Sequence, residues 1–410
     1  MLKSVLLAAV CGVCAPILLA QDSESGVSIP ITISASAMYT QRLQLENPTG
    51  SPFTAGARAV LYPSIKLGSH WFAYAAIEAR LAPYLYYDAY EPEHELYRNV
   101  IQAFVGYSIR TEKTSVVIKA GRLVPALGSF PLRYDDAVNP LLDQPLSYTQ
   151  TLTLDYGQLP CGVKDLAAQH YVGVFNSCGG TSGGEGLTPV TLYGMPGAQI
   201  EFSSQRLDAR LQVANSSPAN PEPLGHTGEY AQWEAGAGYT IRQGFRVGFS
   251  AFRGPFLNAS LIPFLPAGAT LRSYPASALG IDVQWARGRW SALGEWQRFQ
   301  YDFPNFTQAP SVMSTYGELK AVVTPRFFLA GRVGLMNPGG AADKTGVSTS
   351  QFAPSIASYE LAAGSWINRH QLLKASYEWL RIENVPGTKF NVLGFQFVTT
   401  FHAYDRVFHQ

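Results

Sequence analysis

Arg133, Asp135, Asp136 and Asp143 lie close enough together in the chain to create a strong local field. They belong to GRLVPALGSFPLRYDDAVNPLLDQP, Gly121 to Pro145, where prolines at 125, 131, 140 and 145 break a regular alternation. Charges fixed at a narrow point of a channel, facing opposite charges across it, decide which ions pass. The oxygens of Asp135, Asp136, Asn139 and Asp143 are also hard ligands of the kind calcium uses, although their spacing matches no standard calcium loop. The plainest alternative is a solvated loop in which Asp and Pro only make turns.

Catalytic signals are sparse. His70, His94, His170, His226, His370, His402 and His409 are scattered, several of them at expected turns or loops. The glycine-rich run from Cys178 to Gly186 lacks the Lys-Ser/Thr of a phosphate loop. The expectation is a protein that is not an enzyme and needs neither cofactor nor metal. A second set of charged residues falls at regular positions: Glu78, Arg80, Lys119, Arg122, Arg210, Arg242, Glu318 and Lys320. These are the candidates to line a pore.

The elements that would position them repeat every two residues. In SIPITISASAMY, Ser28 to Tyr39, Ile29, Ile31, Ile33, Ala35 and Ala37 share one face, and Ser28, Thr32, Ser34 and Ser36 the other. Charges follow the same parity. Glu78 and Arg80, Asp208 and Arg210, and Glu318 and Lys320 are two apart; Lys374 and Glu378 are four apart, and Glu234 and Arg242 eight. Inward candidates of both signs alternate with apolar residues on the opposite face, so the expected lining is mixed in charge.

Composition agrees with an exported β-rich chain. Only 14% of the 410 residues are charged, against roughly 25% in soluble proteins. Aromatic residues make up 12%, there are 38 glycines, and the net charge of +1 offers nothing to nucleic acid. Lys3, the apolar run from Val5 to Leu19 and Ala20 read as a secretory signal over residues 1–20. Residues 21–410 then form one domain. No other segment has the ~18 apolar residues of a membrane helix, which leaves a closed barrel as the structure able to satisfy its backbone in lipid.

Connections favour that barrel. Very short turns near 66–71, 110–115, 203–207, 242–245, 287–289, 324–326 and 368–370 alternate with longer polar or Pro/Gly-rich segments. Outer-membrane barrels alternate short periplasmic turns with long extracellular loops. Trp71, Phe72, Phe245, Trp285, Trp290, Phe327, Phe328 and Trp366 flank the short turns, and Tyr84, Tyr86, Tyr87, Tyr97, Tyr301 and Trp379 the long loops, as interfacial girdles would. Sixteen strands can be read without using residues 124–195. Two more strand-like pieces there, Tyr148–Tyr156 and Gln169–Phe175, would make eighteen. Cys161 and Cys178 favour sixteen. They are the cysteines left after signal removal in an oxidising compartment, so a disulfide is expected. In the eighteen-strand arrangement they would sit at opposite ends of a membrane strand, about 25 Å or more apart, whereas a disulfide needs Cα atoms within roughly 7 Å.

An all-β, antiparallel up-and-down barrel of sixteen strands with a long third extracellular loop resembles the porins, in which that loop folds into the lumen. The stretch Gly121-Arg122-Leu123-Val124-Pro125-Ala126-Leu127-Gly128 is similar to a pattern in phosphate-selective-porin-like and related substrate-channel porins. The resemblance implies a homotrimer in the outer membrane of a Gram-negative-type bacterium, surrounded by lipid and lipopolysaccharide. It also implies a constriction loop over residues 124–195 and passive diffusion of small polar or charged solutes. The competing expectation is a non-conducting barrel with a structural or adhesive role. Mass mapping of non-reduced peptides should recover a linked Cys161–Cys178 peptide; two free thiols would remove the reason for preferring sixteen strands.

Overall fold

The computed structural model describes residues 25–41, 52–85, 96–133, 135–166, 177–180, 186–220, 231–383 and 389–408. The expected signal segment, 1–20, the piece Gln169–Phe175, and Tyr86 and Tyr87 lie outside the described residues. The wall begins with β1 (Ser25–Gln41), β2 in two pieces (Phe53–Leu61 and Ser64–Leu67), β3 (Trp71–Leu81), β4 (Leu96–Arg110) and β5 (Thr114–Leu123). After a long excursion come β6 (Met195–Ser204), β7 (Leu207–Ala214), β8 (Gln232–Arg242), β9 (Phe245–Pro255) and β10 (Pro275–Arg287). It ends with β11 (Trp290–Tyr301), β12 (Ser311–Thr324), β13 (Phe327–Pro338), β14 (Ile356–Trp366), β15 (Gln371–Ile382) and β16 (Lys389–Phe408). Each strand pairs antiparallel with its neighbours in the chain, and β16 pairs with β1 from Ser25↔Phe408 to Gln41↔Asn391. The result is a closed antiparallel barrel of 16 strands, with no unpaired edge.

Parity sorts side chains as the sequence implies, with the inside and outside reversed relative to a water-soluble protein. Ile33, Ile77, Ile118, Ile200, Leu211, Phe249, Leu279 and Leu361 are exposed on the outer face. Ser34, Arg58, Glu78, Gln212, Glu234, Glu295, Glu318, Arg332, Glu360, Lys374 and Glu378 are buried on the inner one. Such a surface suits lipid outside and a polar interior. The aromatic residues obey the same rule, which divides the expected girdles. Trp71, Trp290 and Trp379 face out, while Phe328, Tyr84 and Tyr301 are buried inside. Nearness to a turn says nothing about which face a ring takes; parity does.

Local chemistry explains where strands depart from expectation. β2 breaks at Tyr62-Pro63 because proline has no N–H to give the ladder. The run expected over 71–86 stops at Leu81, and Ala82-Pro83-Tyr84 turns in so that Tyr84 is buried. Registers shift at Ile29/Pro30, Ala76/Ile77 and Thr240/Arg242. The last shift breaks the parity between Glu234 and Arg242.

The excursion from β5 to β6 adds no strand to the wall. Leu146–Thr149 forms a helical turn, and Leu152 makes a single bridge to Leu187, so the strand expected over Tyr148–Tyr156 does not form. Gln158–Pro160 pairs with Ser177–Gly180 as a small hairpin, and the Cys161–Cys178 disulfide joins it with Cα atoms 5.0 Å apart. Two residues before β5 ends, Gly121 has a φ of 144°, one that side-chain-bearing residues avoid. A Cβ there would overlap the Ala103 carbonyl and Phe104 of β4. Gly121→Ala is expected to destabilise the barrel by about 1–3 kcal/mol, read as a lower temperature for the heat-induced mobility shift of the folded form on a gel.

Candidate functional site

The segment 124–143 crosses the barrel interior and is fastened to strands on all sides. Its first contacts are on the far wall. Glu234 (β8) accepts from the Ala126 N–H at 2.6 Å, Ser250 (β9) from the Gly128 N–H at 3.1 Å, and Arg210 (β7) donates to the Gly128 carbonyl. Glu295 (β11) then accepts from the N–H and hydroxyl of Ser129 at 2.7 and 2.5 Å and from the Tyr148 hydroxyl at 2.7 Å. Arg133 pairs with Glu318 (β12) at 3.1 Å, and Arg332 (β13) binds the same carboxylate at 2.9 Å.

The acidic pair turns to the opposite side. Asp135 accepts from Thr32 (β1) at 2.9 Å and from Tyr62. Asp136 accepts from Ser34 (β1) at 2.6 Å, Arg58 (β2) at 3.0 Å and Tyr84 at 3.0 Å; Arg58 also pairs with Glu78 (β3) at 2.5 Å. Lys374 (β15) donates its three N–H groups to the carbonyls of Asp136, Asn139 and Leu141, at 2.9, 3.0 and 3.1 Å. Glu360 (β14) accepts from the N–H groups of Leu142 and Asp143 at 2.9 and 3.2 Å, and Arg332 donates to the Asp143 carbonyl at 2.8 Å. Wall side chains thus substitute for the helix or sheet partners that this irregular backbone lacks.

The expected constriction residues are therefore all inside the barrel, but they do not form one cluster. Arg133 faces β12, Asp135 and Asp136 face β1 and β2, and Asp143 lies beside Glu360. They do not converge as calcium ligands, and no group of three or more His, Cys, Asp or Glu among the described residues is arranged to hold a metal. Among the lining candidates, Glu78 and Glu318 are buried in the ion pairs above. Lys119 pairs with Glu201 at 2.7 Å, Arg80 lies over Tyr97, Arg210 holds Gly128, and Lys320 lies 4.4 Å from the Phe328 ring centre.

Two candidates fall elsewhere. Arg122 is an odd three residues from Lys119, so it takes the outer face with Ile118 and is exposed. Arg242 is exposed at the turn where the register shifts. Glu295 is the anchor that charge spacing misses. The alternation Glu295, Gln297, Phe299, all buried, is the signal that marks its face.

Burial and charge oppose each other in the loop. Burial alone would raise Asp136, but Arg58 and Lys374, with the Ser34 and Tyr84 hydroxyls, outweigh it and hold its carboxyl below the usual range. Burial would lower Arg133, and Glu318 overrides it to keep the guanidinium charged. Asp143 differs. Burial, then the nearby Glu360, push its carboxyl up to about 7 against the pull of the Gln144 N–H, Arg332 and the Glu378 side chain.

No family model and no curated protein matches the chain. Solved structures do match. The anion-selective porin of Comamonas acidovorans superposes with a TM-score of 0.55 at 10% identity, over 92% of this chain and 100% of that one. The outer membrane channel DcaP of Acinetobacter baumannii gives 0.56 at 8%, over 93% and 99%. Outer-membrane expressed OmpT of Vibrio cholerae gives 0.53 at 11%, over 93% and 99%. The fold is porin-like. At these identities the likeness concerns architecture and carries no residue roles.

Two predictions concern the inward loop. Glu318→Gln leaves Arg133 and Arg332 buried without their shared counter-charge, a loss of roughly 3–5 kcal/mol. It should expose the loop to proteolysis in an otherwise folded barrel. The pH dependence has two limbs. Asp136 is held below its unfolded value, so its contribution is present above that value and lost as pH falls through the folded one. Asp143 is raised, so the folded chain binds the extra proton, and seating weakens as pH rises from the ordinary carboxyl range through about 7. Loop proteolysis should be slowest in mildly acidic buffer, and Asp143→Asn should flatten the alkaline limb alone.

Proposed function

We propose that the protein is an outer-membrane porin, a channel for passive diffusion of small polar or charged solutes. In this reading residues 1–20 are removed on export, the barrel sits among lipid and lipopolysaccharide of a Gram-negative-type outer membrane, and the working unit is a trimer. The observation that carries the reading is the combination of a closed wall, apolar outside and charged inside, with a long loop seated within the lumen.

The short-turn half of the interior supports a wet path. Arg246 bridges Asp208 and Asp282 at 2.6 and 2.7 Å, and Lys119 pairs with Glu201; Asp208, Arg246 and Glu201 are all partly exposed to solvent. Tyr62 and Tyr74 are half-buried beside the loop, as is Asp135 within it. Charges of both signs remain along this route, so ionic selectivity should be weak. Catalysis is not part of the proposal, since His70 and His370 lie at short turns.

The non-conducting reading has its own support. Leu127, Phe130, Leu146, Tyr148, Leu152 and Leu154 of the loop join Phe252, Phe299 and Tyr301 of the wall in one buried apolar cluster toward the long-loop end. Planar-bilayer recording separates the two. The channel reading expects discrete conductance steps with a small reversal potential in a salt gradient. Lys374→Ala, which frees three loop carbonyls, should give larger and noisier steps. A folded, inserted barrel that passes no current, both as wild type and as Lys374→Ala, would overturn the channel reading in favour of a structural or adhesive barrel.

A further inference from the structure

The outer face of β11–β15 has an apolar groove of about 600 Å³. Its floor is made by Gly317 and Gly331, and its walls include Leu319, Leu361, Tyr359 and Trp379. A Cβ on Gly317 would meet nothing within 4 Å, so the lane is open directly above it. Gly317, Val333, Tyr359 and Trp379 lie in one register row across four strands. Two residues nearer the long loops the corresponding row is Thr315, Leu335, Ala357, Arg381 and Lys389. Arg381 and Lys389 thus sit side by side just beyond Trp379, exposed and on the outer face. Neither side chain has a partner among the described residues.

Charge is sorted by sign at this rim. Arg98, Arg122, Arg253 and Arg298 are also exposed on outer strand faces near the long loops. Among the described barrel strands every carboxylate takes the inner face, including the solvent-exposed Asp405, which lies at the short-turn end beside Ser28. Glu318 and Glu360 border the groove from strand positions that face inward, and Asp302 and Glu383 follow the ends of β11 and β15. Asp302 accepts from Gln300 at 3.2 Å.

We propose that this groove holds an acyl chain of a phosphorylated, anionic membrane lipid, with Arg381 and Lys389 on its phosphate. An open apolar lane that ends at two unpaired cations fits an amphiphile with an anionic head, and aromatic rings at the junction suit the interface. A second copy of the chain fits less well, because its own strand rim at this level presents cations, and like charges brought together oppose association. The proposal rests on the membrane-barrel reading and adds to it one lipid site.

The test uses the full barrel in neutral detergent, titrated with lipid A, a bisphosphorylated and multiply acylated lipid, and read by native mass spectrometry. The double variant Arg381→Glu, Lys389→Glu should weaken binding roughly tenfold or more. Gly317→Leu, whose Cβ would meet nothing within 4 Å and whose side chain would project into the lane, should weaken it as well, and dephosphorylated lipid should bind the wild type poorly. Unchanged lipid A binding in both variants overturns the site. So does retained binding together with a changed oligomeric state in Gly317→Leu, which would assign the face to a second copy. Vesicle insertion, measured separately by protease protection, tells failure of the lipid site from failure of the membrane reading.

Discussion

Charge inside the barrel governs the rest of the structure. The wall carries cations and carboxylates into a space the loop enters, and a charge taken out of water must find a partner or give up its ionised form. The loop supplies those partners from both its side chains and its backbone. Arg133 shares Glu318 with Arg332, Asp136 shares Arg58 with Glu78, and Lys374 is satisfied by three carbonyl groups alone. Removing the loop would strand these wall charges, and removing the charges would leave an irregular backbone without hydrogen-bond partners. Each is the condition for the other.

Two different environments act on the same strands through parity. The apolar exterior fixes one face and the loop the other, so a slip of one residue would bring Glu318 or Lys374 to that exterior and Leu319 or Leu373 to the lumen. That double constraint keeps register tight over most of the wall. The irregular places, Pro30, Pro63, Ile77 and the turns after Thr240 and Val322, are those where proline, a bulge or a hairpin interrupts the alternation.

The same parity decided what could be read in advance. Strand number, closure and the sidedness of Glu78, Lys119, Arg210 and Glu318 follow from a strict period of two, and the Cys161–Cys178 pair follows from redox compartment and reach. Arg122 and Arg242 are misplaced for opposite reasons. For Arg122 the odd spacing from Lys119 is legible and marks the outer face, while for Arg242 a register shift at a turn leaves no mark in composition. The loop is the least legible part. Nothing local in Arg133, Asp136 or Asp143 says that their partners lie on β12, β2 and β14, because those pairings span the barrel and are set by three-dimensional closure. Tyr84 shows the same limit: its sequence reads as the end of a strand, but the hydroxyl is used inside.

The anchoring of Asp136 bears on the order in which the molecule is assembled. Its partners come from the start of the chain, Ser34 and Arg58, while the lysine that holds its carbonyl comes from near the end, 238 positions away. These groups become neighbours only when β16 has met β1. The segment cannot take its final path while the chain is an open sheet, since half of its polar partners are then on the other edge. Ring closure and loop seating are one late event, and a chain whose last strands are missing or unpaired would present a solvated, unanchored loop that distinguishes the unfinished barrel from the finished one.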